Sequence, residues 1–200
     1  MTPEQIIELL RRSPEGQLRG DHDLNPGMVA EMGKDPDLTP AAVLVGLVDH
    51  PGGLTVLFTQ RTDHLQHHPG QISFPGGHMD AGDSTAEDTA LREAEEEVGL
   101  HRRHVNIIGR LNEYVTRTGF SITPVVALVT PPFDVTPDPH EVEDIFEVPL
   151  DFLLDPANHQ RHSRKFKGST REFHAMPFGD YYIWGATAGM LINLYEVLRK

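Results

Sequence analysis

Two apolar segments joined by a tight turn place the strongest constraint on the fold. Residues 41–50 are AAVLVGLVDH and residues 54–61 are LTVLFTQR, with a Pro-Gly-Gly turn between them. Runs rich in β-branched residues on either side of such a turn are typical of a β-hairpin. The first run is apolar along most of its length, which predicts a strand that is buried within a sheet.

Shorter patterns predict the rest of the sheet. Residues 105–111 and 121–129 are two further apolar runs that favour strands. Residues 62–83 have a loop-like composition, interrupted by a short extended piece, QISF, at residues 71–74. We therefore expect a mixed sheet built around the hairpin.

Capping residues predict where the helices begin and end. Thr2, Pro3 and Gln5 match a capped helix start. Asp83-Ser84-Thr85 offers an N-cap for a helix that runs to Val98 and is ended by Gly99. The remaining expected helices are a short one near residues 150–154, which follows the segment 141–150, and an amphipathic one at residues 185–200 with Arg199 and Lys200 in its last turn.

The chain has the length of one ordinary domain. Its 200 residues contain no repeat and no linker, so we predict a single α+β domain over residues 1–200. Within it, residues 1–38 would form the N-terminal helix and an irregular segment, and the core would span about 39–200. Residues 13–38 are rich in Gly, Pro and Asp, and they could be a lid, a dimer arm or a plain connection.

Composition excludes several classes of protein. The chain has no Cys, so it has no disulfide framework and no thiolate site, which is compatible with a cytoplasmic location. No apolar run approaches the roughly 20 residues of a membrane span, and no signal segment is expected. The net charge of −13 argues against non-specific nucleic-acid binding. Composition leaves the oligomeric state open between a monomer and a homodimer.

A group of acidic residues lies on the helix expected before Gly99. At about 100° per residue, Glu93, Glu96 and Glu97 fall in one sector roughly 100° wide, whereas Leu91, Ala94 and Val98 fall in another. The glutamates could form a solvated acidic face. However, the stretch FPGGHMD lies just upstream. A close glycine turn followed by convergent carboxylates favours a hard cation and metal-assisted phosphate chemistry.

Residues 76–100, GGHMDAGDSTAEDTALREAEEEVGL, resemble the Nudix box, a pattern of G, five residues, E, seven residues and then R-E-U-x-E-E-x-G-U, where U is aliphatic. The second half matches from Arg92 to Leu100, with Ala94 small for its position. The first half departs from the pattern. Ser84 stands where the family has Glu, and His78 stands where it has Gly. Gly77 with Asp83 restores the first spacing but leaves one additional residue before Arg92.

A second stretch is similar to the coenzyme A pyrophosphatase branch of the Nudix hydrolase superfamily. Residues 57–77, LFTQRTDHLQHHPGQISFPGG, match its motif at Thr59, Arg61, Gly70 and residues 74–77. Thr62 replaces Ser, and Gln66 occupies a position expected to hold Arg or Lys.

The resemblance implies a fold, a reaction and a cofactor. The fold would be a mixed β-sheet sandwiched between α-helices. The reaction would be hydrolysis of coenzyme A or its derivatives to 3′,5′-ADP and 4′-phosphopantetheine or its acyl form, with Mg²⁺ or Mn²⁺. Glu93, Glu96 and Glu97 would hold the metal, and Arg92 would orient a metal-site carboxylate. The alternatives are hydrolysis of NADH or ADP-ribose, and a non-catalytic nucleotide sensor, although a sensor would be expected to lose these glutamates.

Candidate substrate-binding residues and general bases lie both within the box and outside it. Arg61, and after it Arg117, could bind the 3′-phosphate, and Gly76 and Gly77 would approach the substrate. The candidate bases are Glu93 and the more distant Glu141, Glu143 and Glu147.

Two further groups of residues have structural as well as functional interpretations. The cluster His64, His67 and His68 could suggest zinc, but no Cys or further spaced ligand accompanies it, so exposed side chains are favoured. Tyr181, Tyr182 and Trp184 are expected in the core, with adenine stacking as the alternative.

Overall fold

A computed structural model describes residues 1–12, 16–27, 37–64, 68–166 and 168–199 of the chain. Gln66 and His67 lie outside the described residues. Among the helices that are described, none is long and apolar enough to cross a membrane.

The predicted hairpin forms the centre of a mixed sheet. Strand β2 spans Thr39–His50 and strand β3 spans Gly53–Arg61, and the two are antiparallel. On its other side β2 runs parallel to β8, Phe120–Val129, and β3 pairs antiparallel with β9, Val142–Pro149. The apolar run of β2 is therefore covered by strands at both edges.

Shorter strands complete this sheet, which has nine strands in the described part of the chain, in the order β1-β7-β8-β2-β3-β4. In addition, β5 pairs with β2 and β6 pairs with β8. The short strands are β1 Arg19–Gly20, β4 Ile72–Ser73, β5 Gly76–His78, β6 Val105–Arg110 and β7 Tyr114–Val115.

Helices cover both faces of the sheet. Alternate residues of β2 belong to two separate cores: Val43, Val45 and Leu47 to one, and Ala42 and Leu44 to the other. The first core also contains side chains of α1, α3 and α4, whereas the second contains side chains of α2. The predicted sandwich of a mixed sheet between helices is confirmed. The helices are α1 Pro3–Arg11, α2 Ala86–Val98, α3 Leu150–Leu154 and α4 Ala186–Leu198.

A second, three-stranded antiparallel sheet was not predicted. It consists of β10 Gln160–Phe166, β11 Ser169–Phe178 and β12 Tyr181–Trp184. The expectation that Tyr182 lies in the core was wrong, because this side chain is 39% exposed. Tyr181 and Trp184 are partly buried.

Two other expectations need correction, and strand β9 was not predicted. Residues 62–83 were expected to be a loop with one extended piece, but Gly76–His78 forms β5 against β2. The segment before α3 is strand β9, because its backbone completes the free edge of β3. The irregular segment 13–38 contains strand β1, which pairs with β7, and a 3-10 turn at Asp21–Asp23.

Candidate active site

Helix α2 presents the glutamates beside strand β5. Thr85 caps the helix by accepting a hydrogen bond from the backbone N–H of Asp88 at 3.1 Å, and Gly99 ends it with a left-handed φ of 68°. Its small residues Ala90 and Ala94 are fully buried against the sheet. Leu91, which was expected on this face, is only partly buried. Because alanines allow close packing, the acidic side of α2 lies next to the backbone of β5.

Glu97 is a buried carboxylate in a polar surrounding. Its side chain is 5% exposed, and Oε2 accepts a hydrogen bond from the Gly76 N–H at 3.1 Å. Oε1 lies 3.6 Å from Nη1 of Arg61. The pKa of Glu97 is raised to about 8, first by burial and also by the charges of Glu93 and Glu141, whereas the Gly76 N–H and the charge of Arg61 oppose the shift. Glu97 therefore lies where a positive charge would be stabilised.

Glu93 lies directly against the glycine turn. A Cβ atom at Gly77 would lie 2.5 Å from its Oε1, so the carboxylate fills the space that a side chain would need. Glu93 accepts a hydrogen bond from Nη1 of Arg92 at 2.9 Å, and its side chain is 16% exposed. Its pKa is raised, first by burial, with Arg92 opposing the shift.

Arg92 is surrounded by acceptors. Its guanidinium donates to Asp83 at 2.8 Å, to Glu93 and Glu96 at 2.9 Å each, and to the carbonyl of His78 at 3.0 Å. The fork geometry of arginine suits several acceptors at once. Arg92 therefore fixes Glu93 relative to the loop that follows β5. Glu96 is held by the same group but remains 61% exposed.

Asp83, and not Ser84, supplies the acidic partner from the first half of the box. Hydrogen bonds to Arg92 lower the pKa of the Asp83 carboxyl well below its usual range. The additional residue is accommodated in a turn, in which Asp83 N–H donates to the carbonyl of Asp80 and Asp80 N–H donates to Oδ2 of Asp83, each at 3.0 Å. This turn brings the Asp83 carboxylate within hydrogen-bond distance of Arg92.

Of the residues proposed beyond the box, Arg61 and Glu141 reach the glutamates. Arg61 lies between Glu97 and Glu141, with Nη2 4.0 Å from Glu141 Oε2. Glu141 is held near β3 because its carbonyl accepts from Thr62 N–H at 3.0 Å. Glu143 is exposed on β9. Glu147 lies at the opposite end of β9, where it contacts Nε2 of His50 at 2.7 Å, so the structure does not bring it to the site.

Arg117 and the histidines have other surroundings. The backbone N–H of Arg117 donates to Asp21 at 2.9 Å, in the turn before β8. His64 is exposed, and Nδ1 of His68 contacts Oε1 of Gln71 at 2.9 Å. The described residues hold no group of three His, Asp or Glu side chains placed to bind a metal ion, so they offer no zinc site here.

The donor set still suits a hard divalent cation. Glu93 and Glu97 are carboxylates, which are the oxygen ligands that Mg²⁺ and Mn²⁺ prefer. Both are largely buried, and burial is the main reason that the pKa of each carboxyl is raised. In the described residues the third carboxylate needed for a closed cluster is not in place, since Arg92 holds Glu96 outward.

Comparison with known families identifies the fold and the box. A family model described as "NUDIX domain" matches residues 37–167. The chain belongs to the Nudix family. This confirms the resemblance that the box and the motif at residues 57–77 suggested, and it agrees with the central sheet and helix α2 described above.

Several curated relatives share more than a third of their aligned residues with this Nudix chain. "Uncharacterized Nudix hydrolase NudL" of Escherichia coli K12 is 38% identical over 77% of this chain and 80% of that protein. "Peroxisomal coenzyme A diphosphatase NUDT7" of mouse is 37% identical over 80% of this chain and 70% of that protein. "Nudix hydrolase 15, mitochondrial" of Arabidopsis thaliana is 35% identical over 84% of this chain, which spans 63% of the length of the plant protein.

A solved structure supports the fold alone. The NUDIX domain of Shewanella oneidensis NrtR, crystallised with ADP ribose, matches with a TM-score of 0.50 and 19% identity, over 85% of this chain and 96% of that one.

Proposed function

We propose that this Nudix hydrolase is a metal-dependent diphosphatase that cleaves coenzyme A or its derivatives to 3′,5′-ADP and 4′-phosphopantetheine or its acyl form. The observation that carries the proposal is the contact between the two sequence motifs. Arg61 from the first motif lies 3.6 Å from Glu97 of the second. The relative from mouse, whose name is that of a coenzyme A diphosphatase, supports this substrate class at 37% identity.

Members of the Nudix family generally need a divalent metal such as Mg²⁺ or Mn²⁺. In this chain Glu93 and Glu97 would hold it, and Glu96 would turn inward from Arg92 to become the third ligand. When bound, the metal supplies positive charge that neutralises the phosphate oxygens of the diphosphate.

The remaining residues of the site position these groups. Arg92 fixes the Glu93 carboxylate through the hydrogen bond at 2.9 Å. Gly76 and Gly77 have no side chains, so the backbone of β5 can approach both a carboxylate and a substrate. Arg61 adds a positive charge beside Glu97, where a substrate phosphate would reach it. Arg117, in the turn before β8, is the second cation that we assign to the 3′-phosphate.

A general base is needed to take a proton from the attacking water. Glu141 suits this role, because its carboxylate is 48% exposed and lies at the edge of the group formed by Arg61 and Glu97. Glu93 is more enclosed and suits metal binding better. Glu143 on β9 is the alternative distal base.

The test is product analysis with four substrates: coenzyme A, 3′-dephospho-coenzyme A, NADH and ADP-ribose. Each is incubated with Mg²⁺ or Mn²⁺ and again with a chelator. We expect 3′,5′-ADP and 4′-phosphopantetheine from coenzyme A, only when metal is present. Equal cleavage of dephospho-coenzyme A or NADH would refute the coenzyme A assignment and leave a Nudix hydrolase of another substrate.

Two variants of one helix provide the control. Glu97→Gln should abolish cleavage, because it removes the buried carboxylate. Glu95→Gln should retain it, because Glu95 faces away and contacts the exposed Arg102. Binding without cleavage in the wild-type protein would indicate a sensor instead of an enzyme.

Cellular location and assembly remain predictions. The cytoplasmic location was expected from the absence of Cys. Two of the relatives carry the words peroxisomal and mitochondrial in their names. The substrate is a small molecule in this proposal, and the protein is a monomer or a homodimer.

A further inference from the structure

The three-stranded sheet carries a group of aromatic rings on one face. In its register His162 pairs with Phe173, Ala175 with Trp184, and Pro177 with Tyr182, so these residues share a face. The opposite face carries Met176 and Ile183, which are fully buried in the main core. The face that carries the rings therefore points away from the body of the protein. We call it the aromatic face, consisting of His162, Phe173, Tyr182 and Trp184.

The four rings form one continuous surface. The ring centroids of Phe173 and Trp184 are 5.2 Å apart, those of His162 and Phe173 are 5.9 Å apart, and those of His162 and Tyr182 are 6.0 Å apart. Tyr182 is 39% exposed, and His162 is also exposed. A hydrogen bond of 2.8 Å joins the Tyr182 hydroxyl to Nδ1 of His162. The rings are thus both accessible and held in place.

Positive charge accompanies these rings. Residues 160–171 are QRHSRKFKGSTR, which contain five basic residues and no Asp or Glu, in a chain of net charge −13. Arg164 and Arg171 are cross-strand partners. They lie two residues from His162 and Phe173 respectively, so they share the aromatic face. This end of the sheet is locally cationic in an otherwise acidic protein.

We propose that the aromatic face binds a mononucleotide, with the base against the rings and the phosphate at Arg164 and Arg171. Aromatic rings stack on any nucleobase, and guanidinium groups form charge-assisted hydrogen bonds with phosphate. A long nucleic-acid strand is disfavoured, because the remainder of the acidic chain would repel it. The site is distinct from the glutamates of α2, and it does not depend on the function proposed for them.

Trp184 allows a direct test, because it is the only tryptophan of the chain. We would follow its fluorescence while titrating adenosine monophosphate into the full-length protein, with a chelator present so that no divalent metal supports phosphate binding at the glutamates of α2. A saturable change in fluorescence is expected. No change, with nucleotide in large excess, would refute the proposal.

Matched variants on strand β10 assign the effect to one face. Arg164→Gln should weaken binding at least about tenfold, because it removes a charged hydrogen-bond donor. Arg161→Gln makes the same change on the opposite face, where Arg161 contacts Glu172 at 3.0 Å, and it should leave the affinity within about twofold. Tyr182→Ala should weaken binding while leaving the reporter in place. Equal loss in both arginine variants would refute the assignment to this face.

Three further outcomes would also overturn the proposal. If Glu97→Gln removes the fluorescence change, the signal comes from the catalytic site. If an oligonucleotide such as (dT)10 binds but adenosine monophosphate does not, the ligand is a strand. If the fluorescence depends on protein concentration without nucleotide, a second copy of the chain covers the face.

Discussion

Gly77 and Glu93 show how a single atom can decide the geometry of this site. The position of a Cβ atom at Gly77 is occupied by the carboxylate of Glu93. The neighbouring Gly76 is equally constrained, because its Cβ would lie 2.6 Å from the Cα of Val43 on β2. A side chain at position 77 would have to displace the Glu93 carboxylate, whereas a side chain at position 76 would have to displace the backbone of β2.

Gly77→Ala should therefore reduce turnover without unfolding the protein. The methyl group would push away the flexible end of Glu93, and a displacement of about 1 Å can cost on the order of 100-fold in rate. Turnover of the substrate identified above and thermal unfolding should be measured together. Gly82→Ala is the matched control, because nothing lies within 4 Å of a Cβ there. Equal activity of the two variants would contradict the role given to Gly77.

Arg92→Lys should also lower activity, by about 10-fold to 100-fold, as is typical when a residue that orients metal ligands is lost. Lysine carries a compact charge and cannot reproduce the fork that reaches Asp83, Glu93 and Glu96 together. When the rate is measured at increasing metal concentrations, this variant should need a higher concentration to reach half of its maximal rate. Arg102→Lys, at a side chain that is 54% exposed, should leave both quantities unchanged. An unchanged metal requirement in Arg92→Lys would argue against an orienting role.

For single residues, the sequence predicts which side chains form the candidate site better than it predicts what those side chains contact. Arg92, Glu93 and Glu97 follow from the spacing of the box, because that spacing is local to one helix. The pairing of Asp83 with Arg92 could not be predicted, since it depends on how an additional residue folds within a turn. The burial that raises the pKa of Glu97 also needs the tertiary structure, in which Glu97 contacts Gly76 of β5 and Arg61 of β3.

Among the elements, helix α2 determines where the acidic groups lie. It is fixed at one end by the cap at Thr85 and at the other by Gly99. Between them, buried alanines keep the helix close to the sheet. A substitution at Thr85 or Gly99 would therefore change how Glu93 and Glu97 are oriented relative to β5.

Thr85→Ala should lower the free energy of unfolding by about 1 kcal/mol, because the side-chain acceptor for the Asp88 N–H is lost. The adjacent Ser84→Ala should change it by less than about 0.5 kcal/mol, since Ser84 is exposed and does not cap the helix. Urea unfolding of the two variants beside the wild-type protein measures both values. Equal destabilisation would show that the cap contributes little.

Elements with a clear pattern were predicted, and those without one were not. The hairpin, β6, β8 and the four helices have apolar periodicity or caps within their own residues. Strand β10 has none, because its described side chains are exposed on both faces, so the alternation that marks a half-buried strand is absent. Strand β5 contains two glycines and is formed by its pairing with β2, a partner distant in the sequence.

In the whole molecule, two cores on opposite faces of one sheet separate the acidic site from the three-stranded sheet. The second core supports α2, and the first joins β11 and β12 to α1 and α4. Where β11 meets the N-terminal segment, His174 is half-buried. Among the described residues its Nδ1 atom has no hydrogen-bond partner. The packing of distant segments thus surrounds a titratable group.

His174 should make the protein less stable in mild acid. Burial lowers its pKa below the ordinary value of about 6.5, and the charges of Arg161, His159 and Arg19 act in the same direction, while Asp23 opposes them. Between the lowered pKa and about 6.5, the unfolded chain binds a proton that the folded protein does not bind. The stability from the neutral imidazole is therefore complete above pH 6.5 and is lost as the pH falls through that value.

Urea unfolding at pH 7.5 and pH 5.5 measures this loss. His174→Gln should lose less stability between the two pH values than the wild-type protein, because it has no proton to bind at this position. The difference should stay below the roughly 1.4 kcal/mol per pH unit of one fully linked proton, since solvent screens a half-exposed group. His64→Gln, at an exposed side chain, should behave like the wild-type protein. If His174→Gln and His64→Gln lose equal stability, the acid sensitivity arises from other groups, and the junction of β11 with the N-terminal segment does not sense pH.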